Sequence, residues 1–431
     1  MDEPGWQEAR ERPARRLPVV LGLLAAVVLV GLLVRVDDGS GGDRNLEVAD
    51  DPEPRPTPRR TRSPRPPRSP PPAPPEASGT WTAGAALPLA PRDVHGVWSG
   101  TELLLWGGEL WGPDGGRRTF LGDGAAYDPA ADRWRPIAPS PLAERAGHAA
   151  VWTGGELLVW GGSGPVGYFA DGAAYDPAAD RWRPIAPSPL SPRAGASAVW
   201  TGEEALVLGG FDNAGPLGDV AAYHPARDAW RVLPFPEAIA GIAGYQGMES
   251  LEALWDGHTA VLWHRWDYHP GAARVARYDP RTGSWTDLPP VPAARGSAPA
   301  TRQLLWTGSE LVAVLFRGDG RPADVALLAP GDGDWRVLEL SPTRWRTSSQ
   351  GEGAVVWGGD RLYLLLGSAR GIALDVHRGE WALLPDAPWH RRGWAQSAVW
   401  TGDALLAWQR ADPHAGPDRP WLEVALWRPA G

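Results

Sequence analysis

The chain has 431 residues, a formal net charge of −9 at neutral pH and no cysteine, so neither disulfides nor thiolate metal sites are available to it. All 42 basic residues are arginine, and the acidic balance speaks against nucleic-acid binding, which needs a basic face to displace counterions. The chain also carries 26 tryptophans, most of which recur at fixed positions of a repeat.

Residues 1–16 form a polar tail, read as cytoplasmic, that ends in Arg12, Arg15 and Arg16. Residues 17–34, LPVVLGLLAAVVLVGLLV, then run without a charge for the length that crosses a bilayer core of about 30 Å as a helix. Arginines gathered before the run favour an N-terminus on the cytoplasmic side. A cleaved signal peptide is the rival reading, but its apolar stretch would be shorter, and RVDDGSGG is a poor cleavage site. The expectation is a single-pass signal-anchor in the cell membrane with the rest of the chain extracytoplasmic. Residues 35–78 cannot form a core, because their middle is Pro, Arg, Ser and Glu, a composition that stays solvated. They are expected to be a disordered Pro/Arg-rich stalk. In polyproline II form, at about 3.1 Å per residue, such a stalk reaches on the order of 100 Å. The arginines between Arg55 and Arg68 are placed to touch anionic polymer or headgroups, although a plain spacer explains them as well.

Residues 123–142, DGAAYDPAADRWRPIAPSPL, are printed again letter for letter at 171–190, an offset of 48 residues (171 − 123). Self-similarity at that period signals a repeat architecture. One copy, read from Arg145, holds four apolar runs of strand length. The first two, 148–152 and 156–160, are separated by Thr153-Gly154-Gly155, where glycine supplies the positive φ of a tight hairpin. The third, 172–175, stops at Asp176-Pro177, and the fourth, 181–185, is closed by Pro184 and Pro187. Four antiparallel strands joined by short turns make one blade of a β-propeller.

Two markers count the blades. Trp followed by a glycine-containing turn occurs at Trp98, Trp152, Trp200, Trp255, Trp306, Trp357 and Trp400. A fourth-strand Trp occurs at Trp81, Trp134, Trp182, Trp230, Trp285, Trp335 and Trp381. Both lists have seven members, and the second begins before the first. The expected fold is therefore all-β, a seven-bladed propeller over residues 79–431. Residues 79–87 should supply the outermost strand of the last blade, joining the two ends of the chain. The fourteen marker tryptophans are expected in the core.

These units resemble the kelch repeat family. The resemblance rests on the pairs Gly107-Gly108, Gly161-Gly162 and Gly209-Gly210 after the second strand. It rests also on the Tyr and Trp seven apart at Tyr127 and Trp134, Tyr175 and Trp182, Tyr223 and Trp230, and Tyr278 and Trp285. It is strongest in blades one to three. Later blades have Trp263-His264, Phe316-Arg317 or Leu366-Gly367 in place of Gly-Gly, and Leu328 or Leu374 in place of Tyr.

Strand direction alternates, so the start of strand one, the loop between strands two and three and the link between blades share one face. The resemblance implies that this face is the binding surface and that the innermost strand lines the central channel. Arg92, Arg145, Arg193 and Arg392 lie at or before strand one, beside that mouth. A ring of guanidinium groups there suits a carboxylate or phosphate ligand. The same arginines are equally suited to pair with blade backbone or acidic neighbours. The long loops of this face carry Trp111 and Phe120 in blade one and Trp266 and Tyr268 in blade four, and Trp345, Trp389 and Trp394 precede strands of blades six and seven. Trp111, Trp266 and Trp394 join the four arginines as candidate binding residues. Their alternative role is to cap blade edges.

His258, His264 and His269 cluster in blade four with Asp256 and Asp267 nearby, without a compact metal-ligand spacing, so no metal or cofactor is expected. Copper radical oxidases of the kelch class need a Cys linked to Tyr, which this chain lacks. No nucleophile elbow or phosphate-binding glycine loop stands out. The expected function is a non-catalytic binding module for a cell-envelope carbohydrate or protein partner. The alternative is an enzyme acting on an acidic sugar, epimerase- or cyclase-like, through the same mouth.

Overall fold

The second strand of each unit is almost unbroken apolar sequence: LLLW at Leu103–Trp106, LLVW at Leu157–Trp160, LYLL at Leu362–Leu365. A strand covered on both faces reads this way. The computed structural model describes residues 75–90, 92–111, 118–234, 251–264, 273–292, 300–316, 322–339, 354–365, 371–388, 394–410 and 422–430, and shows how the covering is done. Leu103 and Leu105 pack against Leu406, Trp408 and Val424 of the last blade, while Leu104 and Trp106 pack against Leu157, Val159 and Tyr175 of the second. Side chains alternate across a strand, so each blade contributes to two seams.

Seven antiparallel sheets follow the order of the chain, each running from an inner first strand to an outer fourth. The first strands are Gly96–Trp98, Ala149–Trp152, Ala194–Trp200, Leu251–Trp255, Ala300–Trp306, Ala354–Trp357 and Trp394–Trp400. Every one ends on a marker tryptophan. Neighbouring first strands approach one another around the axis, and each of the seven seams between blades holds its own apolar core. The last blade is built from both ends of the chain: Gly79–Ala83 pairs antiparallel with Leu422–Pro429, placing Trp81 opposite Trp427. The ring thus leaves no open seam.

Two features differ from expectation. Residues 75–78, the last of the expected stalk, belong to the propeller. Glu76 bridges Leu383 in parallel, Ala77 N donates to Leu383 O at 2.8 Å and Leu383 N to Pro75 O at 2.9 Å, so this stretch covers the outer edge of blade six. Of the fourteen marker tryptophans only Trp182, 9% exposed, counts as buried, and the rest are half-buried while still packing against the seam cores. The most buried indoles are Trp106, Trp160, Trp408 and Trp427, which lie on middle strands and are covered from both sides. The expected membrane span at 17–34 and the remainder of the stalk lie outside the described residues. Among the described residues no helix is long and apolar enough to cross a membrane.

The marker tryptophans of the fourth strand fasten neighbouring blades. Trp134, Trp182 and Trp230 donate their indole N–H to Ala85, Ala138 and Ala186 carbonyls of the preceding blade's exit, each at 2.9 Å. Trp285, Trp335 and Trp81 do the same to Pro234, Pro289 and Pro385. In blades one to three a second bond joins them. Asp132, Asp180 and Asp228 sit in the turn before the tryptophan with φ 47°, a left-handed conformation that costs an ordinary residue roughly 1–2 kcal/mol. Each carboxylate accepts the hydroxyl of its own blade's Tyr127, Tyr175 or Tyr223 at 2.6–2.7 Å. It also accepts the backbone N–H of Ala85, Ala138 or Ala186 in the preceding blade. Blades four and six have Gly283 and Gly379 at this turn, with φ 69° and 70°, which relaxes the backbone and gives up the carboxylate.

A further relay completes the early seams. Arg135 pairs with Glu102 of its own blade at 2.7 Å and donates to the Tyr175 hydroxyl of the next at 3.1 Å. Arg183 with Glu156 and Tyr223, and Arg231 with Glu204 and Tyr278, repeat the arrangement. The Tyr and Trp seven apart are cross-strand neighbours in register, with ring centroids 5.0 Å apart in blade one and 4.8 Å in blade four.

Replacing Asp180 by Ala is expected to lower stability by about 2–3 kcal/mol, since two bonds are lost and a Cβ stays in the left-handed region. Asp180→Gly should cost roughly 1 kcal/mol less, because only the bonds are lost. Urea unfolding of both variants checks the order. Burial, and then the bond to aspartate, pushes the Tyr175 and Tyr223 phenols up to about 12 from an ordinary 10.0. A folded value above the unfolded one gives stability that is complete below pH about 10 and lost as pH rises towards about 12. Tyrosinate absorbance should therefore appear together with unfolding in that window.

Candidate functional site

The loop between strands two and three begins, in blades one to three, with a glycine pair. Gly107 has φ 71°, and a Cβ there would lie 2.8 Å from the carbonyl oxygen of Arg145, so the link between blades can approach only because no side chain intervenes. Gly161 stands in the same relation to Arg193 O, at 3.0 Å.

That approach positions the arginines. Arg145 N donates to Leu121 O at 3.1 Å and its carbonyl accepts Gly108 N at 2.9 Å, both in the loop of blade one. Its side chain points the other way, donating to Gly161 O at 3.0 Å and pairing with both Asp171 oxygens in blade two. The guanidinium lies over the Phe169 ring at 4.0 Å. Arg193 repeats this one blade on: its backbone pairs with Phe169 O and Gly162 N, and its side chain reaches Gly209 O and Asp219. Arg92 donates to the carbonyls of Gly107 and Asp123 and pairs with the Asp123 carboxylate at 2.8 Å, while its Nη2 has no partner. Each side chain is 0% exposed, whereas the aspartates keep 55%, 58% and 48% of theirs in solvent.

Arg92, Arg145 and Arg193 are thus not open to the mouth. Each fills the second of the two roles the sequence allowed, holding carbonyls at the end of a middle strand and the carboxylate that closes the same loop. Partial burial works to raise the Asp123 and Asp219 carboxyls, but the hydrogen bond and charge of Arg92 and Arg193 outweigh it and hold both below the ordinary aspartate value. These aspartates escaped the sequence reading. Their signal was present, since Asp171 and Asp219 each fall 26 residues after their arginine.

Held by these contacts, three hairpins project from the face. In blade one Glu109–Trp111 pairs with Arg118–Phe120, setting Trp111 opposite Arg118, and an ion pair joins Arg118 to Glu109. In blade two Ser163–Gly164 pairs with Gly167–Tyr168, and Val166 at the tip is 87% exposed. In blade three Gly215–Pro216 folds back on Phe211 and Asp212. Tyr168 meets Phe211 edge-on at 6.1 Å, tying the second hairpin to the third. Trp394 opens the first strand of blade seven, opposite Arg410. Arg392, Trp266, Tyr268, Trp345 and Trp389 lie outside the described residues.

The histidines do other work. His148 packs edge-on against Trp106 at 5.3 Å with Nδ1 buried and unpartnered. Burial, with the charges of His95 and Arg145, pushes it down to about 3, so the ring is neutral at physiological pH. In blade four Asp256 accepts His258 N, Thr259 N and the Thr259 hydroxyl, which commits it to its turn. Among the described residues no group of three or more His, Asp or Glu is arranged to hold a metal ion.

Arg145→Ala is expected to destabilise the propeller by about 2–4 kcal/mol, because it leaves a carbonyl and a carboxylate without their donor. The depressed carboxyls of Asp123 and Asp219 give stability that is present above the ordinary aspartate value and lost as pH falls below it. Asp219→Asn should flatten that acid limb in a series of urea unfolding curves.

A family model described as the KLHDC2/KLHL20/DRC7 Kelch-repeats domain matches residues 79–245, the closing strand and blades one to three with their exit. A solved structure described as "Structure of YjhT" is similar at 17% identity and a TM-score of 0.45, over 60% of this chain and 87% of that one. No curated protein matches the chain. The glycine pairs, the Tyr and Trp in register and the matched repeats agree that residues 79–245 are similar to kelch repeats, and the four-stranded blades form a seven-bladed β-propeller.

Proposed function

We propose that the chain is a membrane-anchored, extracytoplasmic binding module that holds a cell-envelope protein or carbohydrate partner on the hairpin-bearing face of blades one to three. The observation that carries this reading is the construction of that face. Three hairpins are fixed at their bases by buried arginines, and one lifts an apolar side chain, Val166, almost wholly into water. An apolar side chain held out at the tip of a hairpin whose base is locked gives a partner a fixed point of contact. Arg92, Arg145 and Arg193 are supports of the face in this reading, and Trp111 is a contact. The likeness of residues 79–245 to a kelch-repeats domain supports the protein partner by analogy. Anchoring through residues 17–34 and an N-terminus facing the cytoplasm rest on the apolar run and the arginines before it.

The test uses the full chain in detergent micelles against a panel of acidic and neutral cell-wall glycans, with a photo-reactive amino acid placed at position 166 to trap protein partners in cells. Saturable glycan binding, or one cross-linked envelope protein, weakened about tenfold by Trp111→Ala is expected. Recovery of a chemically altered sugar would overturn the non-catalytic reading. Protease added to intact spheroplasts should degrade the propeller; its protection would overturn the topology.

A further inference from the structure

The fourth strands form the rim of the propeller, and the chain treats these edges unequally. Alternate residues of a fourth strand bond inward to the third strand, and the residues between them turn N–H and C=O to the outside. In blade two Ile185 N donates to Gly172 O, so Pro184, one residue earlier and opposite Ala173, holds an outward position. In blade six Leu384 N donates to Gly371 O, and Leu383 turns outward, where Pro75 O and Ala77 N meet its N–H and C=O. Glu76 lies parallel to Leu383 between those two bonds.

The same register puts Pro136, Val232, Asp287, Val337 and Ala83 at the outward position of blades one, three, four, five and seven. An edge with open backbone groups is a template for pairing with another chain, and a proline or a charge on it blocks that pairing. Blades one and two carry the proline, blade four carries the aspartate, and residues 75–77 cover blade six. Blade three has none of these devices. Val232 is 65% exposed, and among the described residues its strand, Ala229–Leu233, is paired on one side only. Val337 in blade five is less open, at 40%, and Ala83 offers a partner little apolar surface.

We infer that the edge of blade three at Val232 is a second binding site, which takes an extended segment of a partner protein as an added parallel strand. Residues 75–77 supply the template on blade six: one carbonyl accepts the N–H of the edge residue, and the N–H two residues later donates to its C=O. The residue between them lies beside Val232, so an apolar, β-branched side chain there covers the valine. Main-chain bonds supply the affinity of such an added strand, and its alternate side chains supply the selectivity. The site lies on the rim, shares no residue with the hairpin face and does not depend on what that face binds.

The test uses two labelled peptides built on residues 73–78, APPEAS. One has valine in place of the glutamate, and the other is the same peptide N-methylated on the alanine that follows. Both are titrated against the full chain in detergent micelles. Val232→Pro gives blade three the residue that blades one and two carry at this position, and Val337→Pro makes the same change in blade five. Urea unfolding of both variants reports on the fold. The valine peptide is expected to bind and to lose about tenfold in affinity in Val232→Pro, with little change in Val337→Pro or Trp111→Ala. N-methylation, which removes one donor from the added strand, should cost as much on the unaltered protein. Equal binding of the methylated peptide, undiminished binding by a folded Val232→Pro, or no binding of the valine peptide would each overturn the inference. Loss in Trp111→Ala but not in Val232→Pro would move the peptide to the hairpin face and overturn the edge alone. Dimers seen by light scattering that vanish in Val232→Pro would assign the edge to a second copy of the chain and overturn the partner segment.

Discussion

A middle strand such as Leu103–Trp106 has no face it can turn to water, and that constraint governs the whole domain. A single blade with such a strand exposes apolar surface on both sides, and two blades still leave one side each uncovered. Only a closed ring covers every middle strand twice. Closure then requires that the first and last blades meet, and the chain meets it by lending Gly79–Ala83 to the blade that ends the sequence. Residues 75–77 extend the same join to the outer edge of blade six. Burial is non-directional, however, and does not decide how neighbouring blades sit. The directional bonds across the seams do that: the indole N–H on a carbonyl, the left-handed aspartate, and the arginine that crosses from one loop to the next.

Among the described residues these bonds are unevenly distributed, and the three hairpins stand where they are densest. Blades one to three have the aspartate with φ 47°, the Tyr hydroxyl and the Arg–Glu relay together. In blade six glycine takes the aspartate's place and Leu374 the tyrosine's, keeping the turn and the apolar volume without the polar bonds. A surface that must present hairpins in a fixed geometry benefits from a support whose own side chains are locked. The strain of a left-handed aspartate is offset by two bonds it could not otherwise make.

The arginines show why residue type and position in the chain do not give the chemistry of a surface. Each follows a turn of the link between blades, where sequence places it beside the mouth. What sends its side chain inward is a pair of partners at the two ends of one loop, the carbonyl of the first glycine of the pair and the carboxylate that closes the loop, with an aromatic ring against Arg145 and Arg193. Their convergence is a property of the folded blade. The outcome is a face on which the guanidinium groups are hidden and the carboxylates paired with them stay about half in solvent.

Much of the fold was legible because the repeat writes it several times. The 48-residue period, the two lists of seven tryptophans and the early Trp81 follow from local periodicity and turn chemistry, which short stretches of chain specify by themselves. Strand limits in the second blade agree within a residue for the same reason: Ala149–Trp152 and Leu157–Trp160 are bounded by glycine turns. The burial of the marker tryptophans was not legible, because burial depends on what lies across the seam, and middle-strand indoles such as Trp106 are covered twice while Trp98 is not. Nor was the role of Arg145, whose partners at Gly161 and Asp171 are fixed by the register of strands rather than by spacing along the chain. The sequence alone determined that there are seven blades and how the ring is closed. Only the tertiary structure decided which charges the ring hides and which it shows, because a guanidinium goes where carbonyls and carboxylates from several strands converge to replace its water.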